Sequence, residues 1–200
     1  MNRRLLPLLV FTVCLCLEAR AQSERADAPS STPPWLPRGL LLATSLREGA
    51  VIPEARLQWQ LVFFQNRRDT LGLHIEPAFA AAAVKPTSLV GNPNASMSSL
   101  QLYSLLLSLG YSNRSPSGVE WGFQVGTGPT WFNSRFQGGA KAKESYLVAL
   151  LDGRARIGYR FAPIGLGLTV GYGDPYNYKR SSLARPYIGG LQLGVYADWR

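Results

Sequence analysis

Residues 164–172 read Ile-Gly-Leu-Gly-Leu-Thr-Val-Gly-Tyr. Ile164, Leu166, Leu168, Val170 and Tyr172 fall at every second position, with Gly165, Gly167, Thr169 and Gly171 between them. A period of two puts the sets on opposite faces of a β-strand, whereas a helix would scatter both around its axis. The polar face is also tiny. Small residues at alternate positions suit strands that converge on a narrow axis, as the inner positions of a small barrel do.

The same alternation continues in both directions. The first strand is Gly39 to Leu46, mostly apolar. The second, Ala55 to Asn66, sets Leu57, Trp59, Leu61 and Phe63 against Arg56, Gln58 and Gln60. The third sets Leu71, Leu73 and Ile75 against Gly72, His74 and Glu76. The fourth, Ser98 to Ser112, sets Tyr103, Leu105, Leu107, Leu109 and Tyr111 against Ser104, Ser108 and Gly110, with Leu102 and Leu106 as exceptions. The fifth sets Val119, Trp121, Phe123 and Val125 against Glu120, Gly122, Gln124 and Gly126. The sixth, ending at Phe161, sets Leu151, Ala155, Ile157 and Tyr159 against Asp152, Arg154, Arg156, Gly158 and Arg160. After the seventh, quoted above, the eighth sets Leu191, Leu193, Val195, Ala197 and Trp199 against Gln192, Gly194, Tyr196 and Asp198. Gly, Pro, Asn, Ser and Asp clusters separate them, the punctuation of antiparallel strands. The pattern predicts an all-β fold of eight antiparallel strands.

Connection lengths decide the topology. Those after strands two, four and six are tight. Those after three, five and seven, Ala81 to Met97, Asn133 to Glu144 and Asp174 to Arg185, are long, and the first, Arg47 to Glu54, is intermediate. Alternating short turns and long loops describe an up-and-down transmembrane β-barrel. A soluble lipocalin-like ligand carrier alternates in the same way and is the alternative. The lysines separate the two, because Lys85, Lys141, Lys143 and Lys179 all fall in the long loops, while a water-facing barrel would spread them along its strands. From Leu57 to Phe63 and from Ile164 to Tyr172 the apolar face carries no charge, as hydrocarbon demands. Aromatics form two belts, with Phe63, Tyr111, Trp121, Tyr159, Phe161 and Trp199 near the turn end. Phe79, Trp131, Tyr146, Tyr172 and Tyr187 lie near the loop end.

Composition agrees. Of 200 residues, 46% are hydrophobic, 11% aromatic and 16% charged, which excludes wholesale disorder, and the scattered 20 Gly and 14 Pro exclude coiled coil and collagen. No segment after the N-terminus approaches the roughly 20 apolar residues of a spanning helix. Residues 1–21 read as a secretion signal: Asn2-Arg3-Arg4, an apolar run from Leu5 to Leu17, and Ala19-Arg20-Ala21 before the cut. Cys14 and Cys16 lie inside it, behind Val13 and Leu15 rather than the small residue that lipid attachment needs, so the mature chain is expected to have no thiol. Loss of Arg3, Arg4, Arg20 and Glu18 removes a net two positive charges from a formal +9, leaving +7. Residues 22–38, rich in Pro and Ser, read as a flexible periplasmic lead-in, and 39–200 as the barrel.

The chain resembles the small eight-stranded outer-membrane barrels of the OmpA-like and OmpX-like group over Gly39 to Arg200. The last strand is similar to their assembly signal, alternating apolar residues ending in an aromatic, Trp199, here followed by Arg200. The resemblance implies a Gram-negative outer-membrane location, the barrel-assembly machinery as partner, and a monomer. A second resemblance is to the lipid A 3-O-deacylase barrels, through Leu73-His74-Ile75-Glu76-Pro77-Ala78-Phe79 and Ser181-Ser182-Leu183-Ala184-Arg185-Pro186. It implies a serine activated by histidine on the lipid side. Their His-x-Ser pattern would fall in Tyr172 to Ser182, where Tyr176, Asn177 and Tyr178 stand and no histidine exists. The one histidine, His74, shares the lumen face with Glu76, and the two read as a hydrogen-bonded structural pair.

Three function classes follow. The first is a non-enzymatic, porin-like barrel with a filled polar lumen of Arg56, His74, Glu76, Glu120, Asp152, Arg154, Arg156, Arg160 and Asp198, charges that could line a pore but in eight strands favour a structural plug over a channel. In it, Lys85, Arg135, Lys141, Lys143, Lys179, Arg180 and Arg185 are candidates to meet lipopolysaccharide phosphates. The second is a lipid A deacylase-like enzyme, possessing no recognisable catalytic set, and the third is the soluble carrier. No cofactor, metal or catalytic residues are expected. Gly126-Thr127-Gly128 and Gly165-x-Gly167 precede no helix and so cradle no phosphate, and the basic charge comes with no nucleic-acid-reading module.

Overall fold

The computed structural model describes residues 35–82, 88–89, 92–138, 142–161, 163–176 and 182–199. The expected leader at 1–21 and residues 22–34 of the lead-in lie outside these, as do Lys85, Lys141, Lys179, Arg180 and Arg200.

Eight long strands form: β1 (Gly39–Arg47), β2 (Ala50–Gln65), β3 (Asp69–Ala82), β4 (Asn92–Arg114), β5 (Val119–Gln137), β6 (Lys143–Phe161), β7 (Ile164–Tyr176) and β8 (Gly190–Trp199). Each pairs antiparallel with the next. The first pairs with the last from Gly39↔Asp198 to Leu46↔Leu191, closing the sheet into a ring. Closure satisfies every edge without solvent. A two-residue strand, Ser88–Leu89, adds to β4 at the loop end. The fold is thus the expected all-β, eight-stranded, antiparallel up-and-down barrel.

The faces divide as the alternation requires. Leu105, Leu107, Leu109, Phe123, Val125, Ile157, Leu166 and Leu168 point outward and are about half exposed, while their strand neighbours are buried or half-buried. On β5 the outward band of Trp121, Phe123, Val125, Thr127, Pro129 and Trp131 carries no charge and spans ten residue steps. At about 3.3 Å per residue and a tilt of about 40°, that is roughly 25 Å, the height of the apolar band of an outer-membrane barrel. Beyond it the outward residues turn polar within one pair of positions on three neighbouring strands: Tyr103 gives way to Gln101, Trp131 to Asn133 and Leu147 to Ser145.

Several sequence expectations are corrected. The first connection is no loop of intermediate length but the two-residue turn Glu48-Gly49, with φ of 47° and 74°. Positive φ at both central residues gives the twist of a tight hairpin, at a cost for Glu48 that glycine avoids. Strand β2 therefore starts at Ala50, and Pro53 and Glu54 lie in it. The β3–β4 and β5–β6 connections are also shorter than expected, because the ladder continues past the apolar band, whereas the β7–β8 connection is displaced to residues 177–189 and keeps its length. Polar residues such as Asn133, Ser134 and Arg135 read as loop, yet their backbones pair with Gln101, Leu100 and Ser99. A bulge between Val62 and Phe64 turns Phe64 rather than Phe63 into the outward partner of Leu71. Tyr187 belongs to no outer belt: it is 1% exposed and packs inside the loop-end mouth. Tyr146 is 45% exposed and stands opposite buried Phe132 in the ladder, the two rings 6.0 Å apart.

The interior has two layers. Toward the turn end it is charged. Toward the loop end it is apolar, where Ile52, Met97, Leu100, Phe132 and Phe136 surround Ala184, Tyr187 and Ile188 from the β7–β8 connection. Leu102, an exception to alternation in the sequence, points into this apolar layer, and Leu106 is buried on the same inner face.

Candidate functional site

The charged layer is built by the inner positions of β2, β3, β5, β6 and β8. Arg56 offers both terminal nitrogens to Asp152, at 3.1 and 3.0 Å, and a third contact to Gln192 Oε1 at 3.3 Å, while its Nε donates to Glu54. Glu76, 0% exposed, accepts from Gln58 Nε2 at 2.9 Å, from Gln124 and from Arg154. Arg154 Nε also lies 2.8 Å from Asp152 Oδ1. Nearer the turn end, Glu120 accepts from Arg156 at 3.1 Å and from Arg160 at 3.0 Å. Asp198 takes the second donor of each, and the Arg156 guanidinium lies 5.2 Å from the Tyr196 ring centre.

Nine charged groups therefore pair among themselves, four arginines against five carboxylates, leaving a net charge of −1. Burial of charge is tolerable only with such pairing, and here each guanidinium meets at least two carboxylates. Sequence reasoning places Arg56, Glu76, Glu120, Asp152, Arg154, Arg156, Arg160 and Asp198 on one face, and the closed ring brings them into contact. Glu54 joins them from β2: beside Pro53 its sequence reads as loop, yet it precedes Arg56 by two and follows the same alternation.

His74 faces the lumen but makes no pair with Glu76. The Glu76 oxygens are occupied by Gln58, Gln124 and Arg154, and His74 Nδ1 has no partner among the described residues. The imidazole instead lies over Gly110, where a Cβ would come within 2.7 Å of Nε2. Glycine on β4 thus makes room for the ring, and the correction follows from cross-strand neighbours that a single strand cannot reveal.

Two interior cavities lined by described residues are small. A cavity of about 10 Å³ lies among Gln58, Gln124, Arg154 and Tyr196, and another of about 10 Å³ lies beneath Ile188. Each has room for about one water. An ion path or an apolar ligand needs far more. A depression of about 560 Å³ lies on the outer wall instead, lined by Leu42, Thr44, Pro53, Ala55, Phe79 and Val195, where hydrocarbon chains would pack. No group of three His, Cys, Asp or Glu among the described residues is placed to hold a metal.

At the loop end the β7–β8 connection folds into the mouth. Glu144, 2% exposed, accepts from Ser182 Oγ at 2.6 Å and from the Ala184 N–H at 3.3 Å. Arg47 donates to Ile188 O at 2.7 Å and to Asp174 at 2.8 Å. This cork went unforeseen, since its signal is spread over three distant segments. Of the seven loop cations, Arg135 stands on β5 and Lys143 opens β6, both exposed and opposite each other in the ladder register. Arg185 is half-buried in the cork, its Nε unpartnered. Lys85, Lys141, Lys179 and Arg180 lie outside the described residues.

No family model matches the chain, and no curated protein matches it in sequence. Among solved structures, the outer-membrane enzyme PagL is similar with a TM-score of 0.54 at 11% identity, over 80% of this chain and 97% of that one. Neisserial surface protein A gives 0.49 at 11% identity, over 81% and 94%. Ail, the attachment invasion locus protein of Yersinia pestis, gives 0.45 at 15% identity, over 80% and 93%. The likeness is one of fold, that of the small eight-stranded outer-membrane barrels.

Proposed function

We propose that this chain is a non-enzymatic integral barrel of a Gram-negative outer membrane, secreted by cleavage near Ala21, inserted by the barrel-assembly machinery and working as a monomer. It carries a filled polar lumen and presents its loop-end cations to lipopolysaccharide. One observation carries the reading: the outward band is apolar while nine charges are paired off inside. In water that arrangement would be inverted, and in hydrocarbon it is required, since one outward Arg at the midplane costs about 2–4 kcal/mol.

Hydrolase chemistry of the serine–histidine kind needs its imidazole on the lipid side. The chain's single histidine, His74, is buried on the lumen face, and Ser182, within the deacylase-like segment, donates to Glu144. A carrier needs an apolar cavity, and the cavities described above hold about one water each.

The test is expression with the native leader in a Gram-negative host. The protein is expected in the detergent-extracted outer-membrane fraction, with faster gel mobility before boiling than after. Recovery in the aqueous periplasmic wash overturns the reading. Planar-bilayer recordings are expected to show no stable conductance, and lipid A extracted from the cells an unchanged acyl pattern. Loss of an acyl chain from lipid A would restore the hydrolase.

A further inference from the structure

We propose that Arg135 and Lys143 form a clamp for the phosphate of an outer-leaflet lipid headgroup, an inference that rests on the membrane reading above. The two residues are register partners on β5 and β6, so their Cβ atoms are about 5 Å apart on the outer face. Like charges directly opposite each other repel, and a protein normally relieves this with a carboxylate. Among the described residues none is supplied: no ion pair involves either cation. Glu144, next in sequence to Lys143, points to the opposite face, where the cork occupies it. The pair is therefore completed by an anion from outside, and a phosphate oxygen set spans two such donors.

Position selects the source of that anion. Arg135 lies four residues beyond Trp131, and Lys143 four before Leu147, the last outward apolar positions on their strands. Trp131 Nε1 donates to Ser145 Oγ at 3.0 Å, fixing the indole at the boundary. Between boundary and cations lie Gln101, Asn133 and Ser145, hydroxyl and amide groups suited to headgroup oxygens. Ser98 Oγ donates to Arg135 O at 3.2 Å and ties that strand position to β4. Long cationic side chains bend back toward such an interface. A lipid phosphate thus meets the clamp at the height where lipid phosphates reside, whereas a free anion gains nothing from the aromatic boundary.

The experiment measures binding of bisphosphorylated lipid A, its dephosphorylated form and inorganic phosphate to the full chain refolded in neutral detergent micelles. Arg135→Gln and Lys143→Gln are each expected to weaken bisphosphorylated lipid A about fivefold, and the double variant about twentyfold. Arg67→Gln/Arg68→Gln, at exposed turn-end positions, should leave affinity unchanged. Dephosphorylated lipid A should bind the unaltered chain as weakly as the phosphorylated form binds the double variant. An inserted, heat-modifiable double variant with full affinity overturns the clamp alone. Inorganic phosphate binding as tightly as lipid A overturns the lipid assignment. An unaltered chain that fails to insert overturns the membrane reading, and the clamp with it.

Discussion

Arg56→Met is the sharpest test of a dry, charge-paired lumen. Arg56 is 1% exposed and stands with Arg154 among Glu54, Glu76 and Asp152, a group of net charge −1. Methionine preserves much of the volume but takes the group to −2, strips Asp152 of its forked donor and leaves Glu54 without its guanidinium. Removing one partner from a buried ion pair costs about 3–5 kcal/mol, most of it from the uncompensated charge left behind. The assay is guanidinium unfolding of the chain refolded into phosphatidylcholine vesicles, followed by tryptophan fluorescence. A double variant, Arg56→Met/Asp152→Leu, returns the group to −1 and is expected to regain at least half of the loss, giving a large coupling energy in the double-mutant cycle. A cost of about 1 kcal/mol or less for Arg56→Met, the worth of a solvent-exposed pair, would refute the reasoning, because it would show water screening the interior.

Leu107→Arg, in the middle of the outward band of β4, should cost about 2–4 kcal/mol in the same unfolding assay and slow vesicle insertion. A neutral effect would mean that this face meets water. Gly110→Ala drives a Cβ against His74 and is expected to destabilise by about 1–3 kcal/mol. Gly153→Ala, where the added Cβ meets nothing within 4 Å, should be near neutral by the same measurement. Glu144→Gln weakens the seat of Ser182 and Ala184. In an Ala184→Cys background, maleimide labelling is expected to speed up about tenfold, the cost of about 1.4 kcal/mol in local opening. An unchanged rate would show that apolar packing alone holds the cork.

The strand pattern was legible because hydrocarbon outside and crowding inside both act on single residues. Each strand from 55 to 199 carries its own record of which side is which, and eight such records with alternating connections leave few topologies. The lumen residues were legible for the same reason: Arg154, Arg156 and Arg160 alternate with Ala155 and Ile157 whatever their partners. What failed were boundaries. Asn133, Ser134 and Arg135 are polar because they rise above the apolar band, and polarity alone does not distinguish a solvated strand from a loop. The Glu48-Gly49 hairpin hid behind Pro53 and Glu54 in the same way.

Partner choice is a different kind of information. The Arg56–Asp152 fork joins residues 96 apart, and the cork joins Glu144 to Ser182 and Arg47 to Asp174. Such pairs depend on register and on ring closure, which add up over every intervening turn and bulge, so one residue of slip at Val62 and Phe64 changes which face a side chain occupies. The amino-acid order determined that there would be an apolar outside and a charged inside. Only the closed ring decided which charges meet, that His74 stands apart from Glu76, and that Arg135 and Lys143 face outward side by side.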